Sequence, residues 1–193
     1  STAELVALFE RLCADATLEV RRAVASAMGG VAEALGQNGQ ASGQLQTTYA
    51  QLIADESELV RVAALGSSAA VSAAVAPEPG AVASGSPVAA PLTAASRDKV
   101  PSVRIALAEA LAGVASTGVA GAAIARELTL ALISDLELDV RIAVALQAAA
   151  LADGLGAPFV AAASWSSASA RRTAQRAARA NPSGDGGGVA VST

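Results

Sequence analysis

Apolar positions recur at helical spacing along most of the chain, broken at intervals by short polar segments. Val20, Val24, Ala27, Val31 and Leu35 fall on one stripe in steps of three and four, the mark of an amphipathic helix. Val140, Val144, Leu151 and Leu155 do the same. The pattern predicts one set of helices at 3–14, 42–54, 87–96 and 121–134, and a second set at 18–35, 58–76, 101–116 and 138–155. Boundary residues agree with it. Gly36 and Gly156 follow the last apolar residue of a run, where helices stop. Thr17 and Ser57 suit N-caps, and Pro101 suits a first helical position. Glu19, Glu58 and Asp139 put acid into first turns. The connections at 37–43, 77–86 and 116–118 are rich in Gly, Ser and Pro.

The polar breaks share one figure: an Asp, then five residues later a Val followed by Arg. It occurs at Asp15 and Arg21, Asp55 and Arg61, Asp98 and Arg104, and Asp135 and Arg141. The arginines are 40, 43 and 37 residues apart. A period near 40 with two helices per unit is the signature of HEAT and armadillo arrays. The expected fold is therefore all-α, an α-α superhelix (a HEAT- or armadillo-like solenoid) of about four helix pairs plus a degenerate fifth. Its units are 1–36, 37–76, 77–118 and 119–156. The fifth, 157–180, is short: Ala170, Arg171 and Arg172 resemble Val20, Arg21 and Arg22, but Trp165 stands where the Asp belongs. A Gly-rich tail, 181–193, is expected to be disordered.

Each Asp lies at the C-terminal end of one helix and each Arg in the first turn of the next. Both charges oppose their own helix dipole, at a cost of a few tenths of a kcal/mol each. Four recurrences at one offset imply that the charges satisfy each other or the next unit's partner. Stacked units would align them as a structural ladder along one edge and fix the register of alanine-rich faces that would otherwise slip. An exposed pair adds only ~0–1 kcal/mol, and the Arg fork favours carboxylate in a defined geometry. Acids one unit apart, roughly 10 Å, are too far apart for most paired-carboxylate chemistry.

Composition narrows the function classes. Hydrophobic residues are 53% of the chain, yet aromatics are 2%. Alanine forms helix well but adds little core volume, so many thin helix contacts are expected rather than one thick core. There is no His, and Cys13 is the single Cys. Imidazole acid–base chemistry, His-dependent triads and His metal ligands are absent, and no disulfide can form within the chain. No catalytic residue, cofactor site or metal site emerges. Cys13 reads as a buried structural thiol. The glycines at 184–188 lack the Lys-Ser or Lys-Thr of a phosphate loop. A net charge of −4 argues against a nucleic-acid partner. The basic stretch Arg171, Arg172, Arg176 and Arg179 reads first as a solvated helix face, with a phosphate or acidic-partner patch as the alternative. Trp165 reads first as an end cap of the array, with a partner anchor as the alternative. No basic leader opens the chain, and Pro and Gly interrupt the charge-free run at 79–96, so no membrane span is expected. A soluble protein of the cytoplasm, or also the nucleus, is expected. The absence of an initial Met fits a processed or excised piece of something longer.

The segment FERLCADATLEVRRAVASAMGGVAEALG, 9–36, resembles a middle repeat of the scaffold (A) subunits of protein phosphatase 2A. It shares Leu-Cys, an Asp, Val-Arg-Arg, an Ala-Ser, and then Gly and a final Leu. LIADESELVRVAAL, 52–65, and LISDLELDVRIAVAL, 132–146, are similar to other repeats of that family. The likeness covers about 3–155. It implies a non-catalytic curved scaffold whose intra-repeat turns bind protein partners, the phosphatase's regulatory and catalytic subunits. The implied partner-binding ridge is Thr17, Glu19, Glu56, Glu58, Lys99, Ser102, Glu137 and Asp139. A match in the first unit implies regulatory-subunit contact. The alternatives are another HEAT adaptor, such as a transport receptor or a tubulin-binding module, and a HEAT-fold enzyme. Acidic turns disfavour binding to acidic tubulin, and the missing His and active-site clusters disfavour an enzyme.

Overall fold

The structure, a computed structural model, describes residues 2–36, 42–75 and 86–155. All regular structure among them is α-helical. The elements are α1 (Thr2–Cys13), α2 (Leu18–Gly36), α3 (Ser42–Ile53), α4 (Glu58–Leu65), α5 (Ser68–Ala74), α6 (Ala89–Ala95), α7 (Pro101–Ala115), α8 (Val119–Leu132), α9 (Leu138–Leu146) and α10 (Ala148–Leu155). The expected fifth unit and tail, with Trp165 and the four arginines of 171–179, lie outside the described residues. No helix among the described residues is long and apolar enough to cross a membrane.

Packing follows two rows. In one, α2 lies against α4 and α5, these lie against α7, and α7 lies against α9 and α10. In the other, α1 lies against α3, and α3 against α6. The rows meet where α1 packs on α2, α3 on α4, α6 on α7, and α8 on α7, α9 and α10. The main apolar cluster runs unbroken from Phe9 to Leu155. Tyr49, Met28, Leu52, Leu65, Leu92, Leu107, Leu111, Leu128 and Leu132 are its largest fully buried side chains. Buried Ala25, Ala32, Ala64, Ala95, Ala108 and Ala125 line it. The thin contacts expected from alanine therefore join into one continuous strip.

Two of the expected second helices are bent. The helix foreseen over 58–76 divides into α4 and α5 at Gly66-Ser67. Gly/Ser pairs, and serines that hydrogen-bond back to the chain, are recognised causes of kinks. Here Ser67 Oγ donates to the Ala25 carbonyl (3.2 Å) and accepts from the Gly29 N–H (3.1 Å). Those two groups of α2 stand four residues apart, as the partners of one helical hydrogen bond do. The hydroxyl thus ties the bend to the neighbouring helix. Ser68 Oγ, buried, donates to the Leu65 carbonyl and shares a 2.6 Å hydrogen bond with Tyr49 Oη. The helix foreseen over 138–155 bends at Gln147, whose N–H is shared between the Ala143 and Val144 carbonyls. The bend sets Gly154 close against Ala115. The third first-row helix is shorter than foreseen, Ala89–Ala95.

The buried face of α2 is turned relative to the expected stripe. Val24 and Leu35 are buried, but Ala27 is exposed, and Ala25, Met28 and Ala32 take the inner positions. The stripe expected on the last pair, Val140, Val144, Leu151 and Leu155, is buried. Within α2, Gly30 is exposed, and a Cβ there would meet nothing within 4 Å. Gly30→Ala is accordingly expected to raise stability by about 0.5–1 kcal/mol through reduced backbone freedom in the unfolded chain. Urea unfolding at low protein concentration measures it; destabilisation would show that the helix face is not open as described.

Candidate functional site

The four turns joining first-row to second-row helices are built alike. Each Asp lies two or three residues past its helix end and accepts, at Oδ1, the N–H of the residue two ahead. The distances are 2.8 Å for Asp15 and Thr17, and 2.9 Å for Asp55 and Ser57, Asp98 and Val100, and Asp135 and Glu137. Ser57 occupies the N-cap position of α4 but makes no side-chain cap bond. The carboxylate two residues earlier holds the turn instead. Pro101 takes the first turn of α7 as expected.

Each Arg then reaches back over its own turn. Arg21 Nη1 donates to the Asp15 and Ala16 carbonyls, Arg61 Nη1 to those of Asp55 and Glu56, and Arg104 Nη1 to that of Asp98. Arg141 Nη1 donates to the Asp135 and Leu136 carbonyls. The cation, in the first turn of its own helix, therefore sits against backbone carbonyls of the turn that precedes it. This relieves the misplacement that the dipole argument identifies.

The other edge of each fork meets the carboxylate of the following turn, not of its own. Arg21 Nε and Nη2 donate to Asp55 Oδ2 and Oδ1 at 2.8 and 3.2 Å. Arg61 makes the same pair of bonds to Asp98 at 2.8 and 3.1 Å, and Arg104 to Asp135 at 2.7 and 2.9 Å. All six side chains are only 9–14% exposed, so solvent screens these pairs less than surface pairs. Bidentate geometry adds specificity of register to the attraction. Arg21 Nη2 also contacts Glu56 Oε1 at 3.1 Å, with Glu56 largely in solvent. Asp15 and Arg141, at the two ends of this series, make no side-chain pair with a charged residue among the described residues.

Electrostatics follow the geometry. Burial pushes the Asp55 carboxyl up, but the Arg21 hydrogen bond, the Ser57 N–H and the charges of Arg21 and Arg61 outweigh it and leave it below the ordinary carboxylate value. The Arg104 hydrogen bond lowers Asp135 in the same way. Arg21 and Arg104 are raised, chiefly by their carboxylate hydrogen bonds. Burial, with Glu10 nearby, pushes the Cys13 thiol up to about 12, which makes it a poor nucleophile at neutral pH. Burial also raises Tyr49, partly offset by its Ser68 hydrogen bond.

The side chains between each Asp and Arg are the available ones. Thr17, Glu19, Glu56, Glu58, Lys99, Ser102, Glu137 and Asp139 are all exposed. The ladder joins successive turns directly, so these residues line one edge. Leu136 (96% exposed), Leu138 and Leu59 stand among them. The eight ridge residues singled out from the sequence are all polar, so these leucines were not among them. The available signal was their position inside the acidic turns. Beside the second and third turns, an open groove of about 600 Å³ has an apolar floor that includes Ile53, Ala54, Pro91 and Ala94. The Arg61 and Asp98 pair and Glu56 border it. No group of three or more His, Cys, Asp or Glu among the described residues is placed to hold a metal ion.

Comparison of the chain with protein-family models and with curated proteins returns no match.

Proposed function

We propose that the chain is a non-catalytic HEAT-type scaffold, an α-α superhelix that binds protein partners along the edge formed by its turns. The observation that carries this reading is the division of labour within each turn. Structural bonds occupy the recurring Arg and Asp, while most of the variable residues between them stay exposed, Leu18, Ser57, Val100 and Pro101 being half-buried. That edge carries Glu19, Glu58, Glu137 and Asp139 with Leu59, Leu136 and Leu138 beside them. Acid interspersed with exposed leucine suits a protein surface with basic and apolar groups. It does not suit nucleic acid, whose backbone such an edge repels. The resemblance of 9–36, 52–65 and 132–146 to the phosphatase 2A scaffold repeats supports a regulatory or catalytic phosphatase subunit as the partner. The acidity of the turns disfavours a tubulin-binding module.

A pull-down from cell extract with identification of the bound proteins tests this reading. Phosphatase subunits should be recovered, and replacing Glu19, Glu58, Glu137 and Asp139 with Ser should reduce recovery without changing the helical circular dichroism. Transport or cytoskeletal partners alone would overturn the phosphatase assignment. Binding indifferent to these four substitutions would overturn the use of the edge.

A further inference from the structure

The series of arginine forks and carboxylates is complementary at its two ends. Asp15 is preset like the three paired aspartates, with Oδ1 on the Thr17 N–H at 2.8 Å. Arg141 is preset like the three paired arginines, with Nη1 on the Asp135 and Leu136 carbonyls at 2.6 and 3.0 Å. Its Nε and Nη2 edge is the one that takes a carboxylate in the other three. Asp185 is the only acidic residue after Asp153, and no Asp stands six residues before Arg171, where the spacing would put the next one.

Two successive junctions share one register of close approach, in which the residue eight after one Arg approaches the residue nine after the next: Gly29 faces Ala70, and Ala69 faces Gly113. At the third junction, past the bend at Gln147, Gly154 meets Ala115 instead. Gly30 of α2 and Ala149 of α10 are both exposed.

We propose that the Arg141 fork is a carboxylate-docking site occupied by Asp15 of a second copy of this chain, so that copies associate head to tail. Such an interface joins two different surfaces, so each added copy presents the same free ends, and association continues past the dimer. The charge pair adds specificity more than affinity. The assembly is weak and sensitive to salt.

Sedimentation velocity of the full chain over the micromolar to millimolar range tests this. The average mass should rise with concentration without a plateau at two copies. Asp15→Arg alone and Arg141→Asp alone should each stay monomeric, because like charges then face each other. An equimolar mixture of the two should associate, because opposite charges face each other at both junctions. If Asp15→Arg does not fold, Asp15→Asn keeps Oδ1 for the Thr17 N–H and should weaken association about fivefold. Wild-type chain that is monomeric throughout, whether residues 156–193 cover Arg141 or a different protein takes it, overturns the proposal. So do a plateau at the dimer, association unchanged by the substitutions, and a mixture that stays monomeric.

Discussion

Asp55→Ala is expected to lower stability by about 2 kcal/mol at neutral pH. The substitution removes the carboxylate that takes two bonds from Arg21 and one from the Ser57 N–H. It leaves the solvent-exposed Glu56 as the only carboxylate on Arg21, beside the Asp15 and Ala16 carbonyls. Hydrogen bonds to charged groups contribute about 1.5–3 kcal/mol when buried, and the partial exposure here discounts the sum. The effect depends on pH. The folded-state pKa values of Asp55 and Asp135 are lowered. Their contribution is therefore complete above the unfolded value of about 3.9 and is lost as the pH falls through the folded values. Urea unfolding of wild type should change little from pH 7 to pH 5 and weaken below about pH 4. Asp55→Ala should lose less than wild type over that acid interval. Equal acid losses in both proteins would mean that Asp55 is not held by Arg21.

Gly121→Ala is expected to cost more, about 2–4 kcal/mol. Gly121 is buried in the first turn of α8, after Gly118, whose positive φ of 114° opens the helix. A Cβ at Gly121 would run into the Val114 carbonyl oxygen and Thr117 Oγ1. The threonine can rotate, though at the expense of its bonds to Ser72 and to the Val114 carbonyl. The backbone oxygen belongs to α7 and moves only with the helix. Overpacking of this kind costs about 1–3 kcal/mol or more, and the lost buried hydrogen bonds add to it. Thermal unfolding monitored by circular dichroism measures the effect. A variant as stable as wild type would show that α8 does not approach α7 as closely as the structure places it.

Helix existence was the most legible feature, because apolar spacing and turn residues agree on where helices lie, though 58–76 and 138–155 each divide in two. Helix facing was less so. Alanine is small and only weakly apolar, so hydropathy could not separate buried Ala25 from exposed Ala27 on α2. The bend at Gly66-Ser67 had a visible cause in its residue types. The bend at Gln147 had none in its residue types, and it accompanies a tertiary contact, Gly154 of α10 against Ala115 of α7, that the sequence does not show. In the turns, the constant offset of six residues showed that Asp and Arg belong to one device. It could not show which Asp serves which Arg, since their own turn and the next lie equally close in that reasoning. The structure separates the two roles through the two edges of the guanidinium: one fixes the residue's own turn through backbone carbonyls, and the other takes the following carboxylate. The candidate ridge was legible only through the family resemblance, and its exposed leucines only through their position inside the acidic turns. Ser57 stands at the N-cap but its hydroxyl makes no cap bond, and the turn is held instead one step earlier, by Asp55 accepting the Ser57 N–H.

The central claim is that Arg21, Arg61 and Arg104 each pair with the carboxylate of the following turn and so set the register between helix pairs. A comparison of two double-mutant cycles tests it most directly. Arg61 is combined with Asp98 in one cycle and with Asp55 in the other, each residue replaced by Ala, with stability read from urea unfolding. The expected coupling is about 1–2 kcal/mol for Arg61 with Asp98 and under about 0.5 kcal/mol for Arg61 with Asp55, whose backbone carbonyl survives the substitution. Equal couplings, or a larger one for Arg61 with Asp55, would contradict the account.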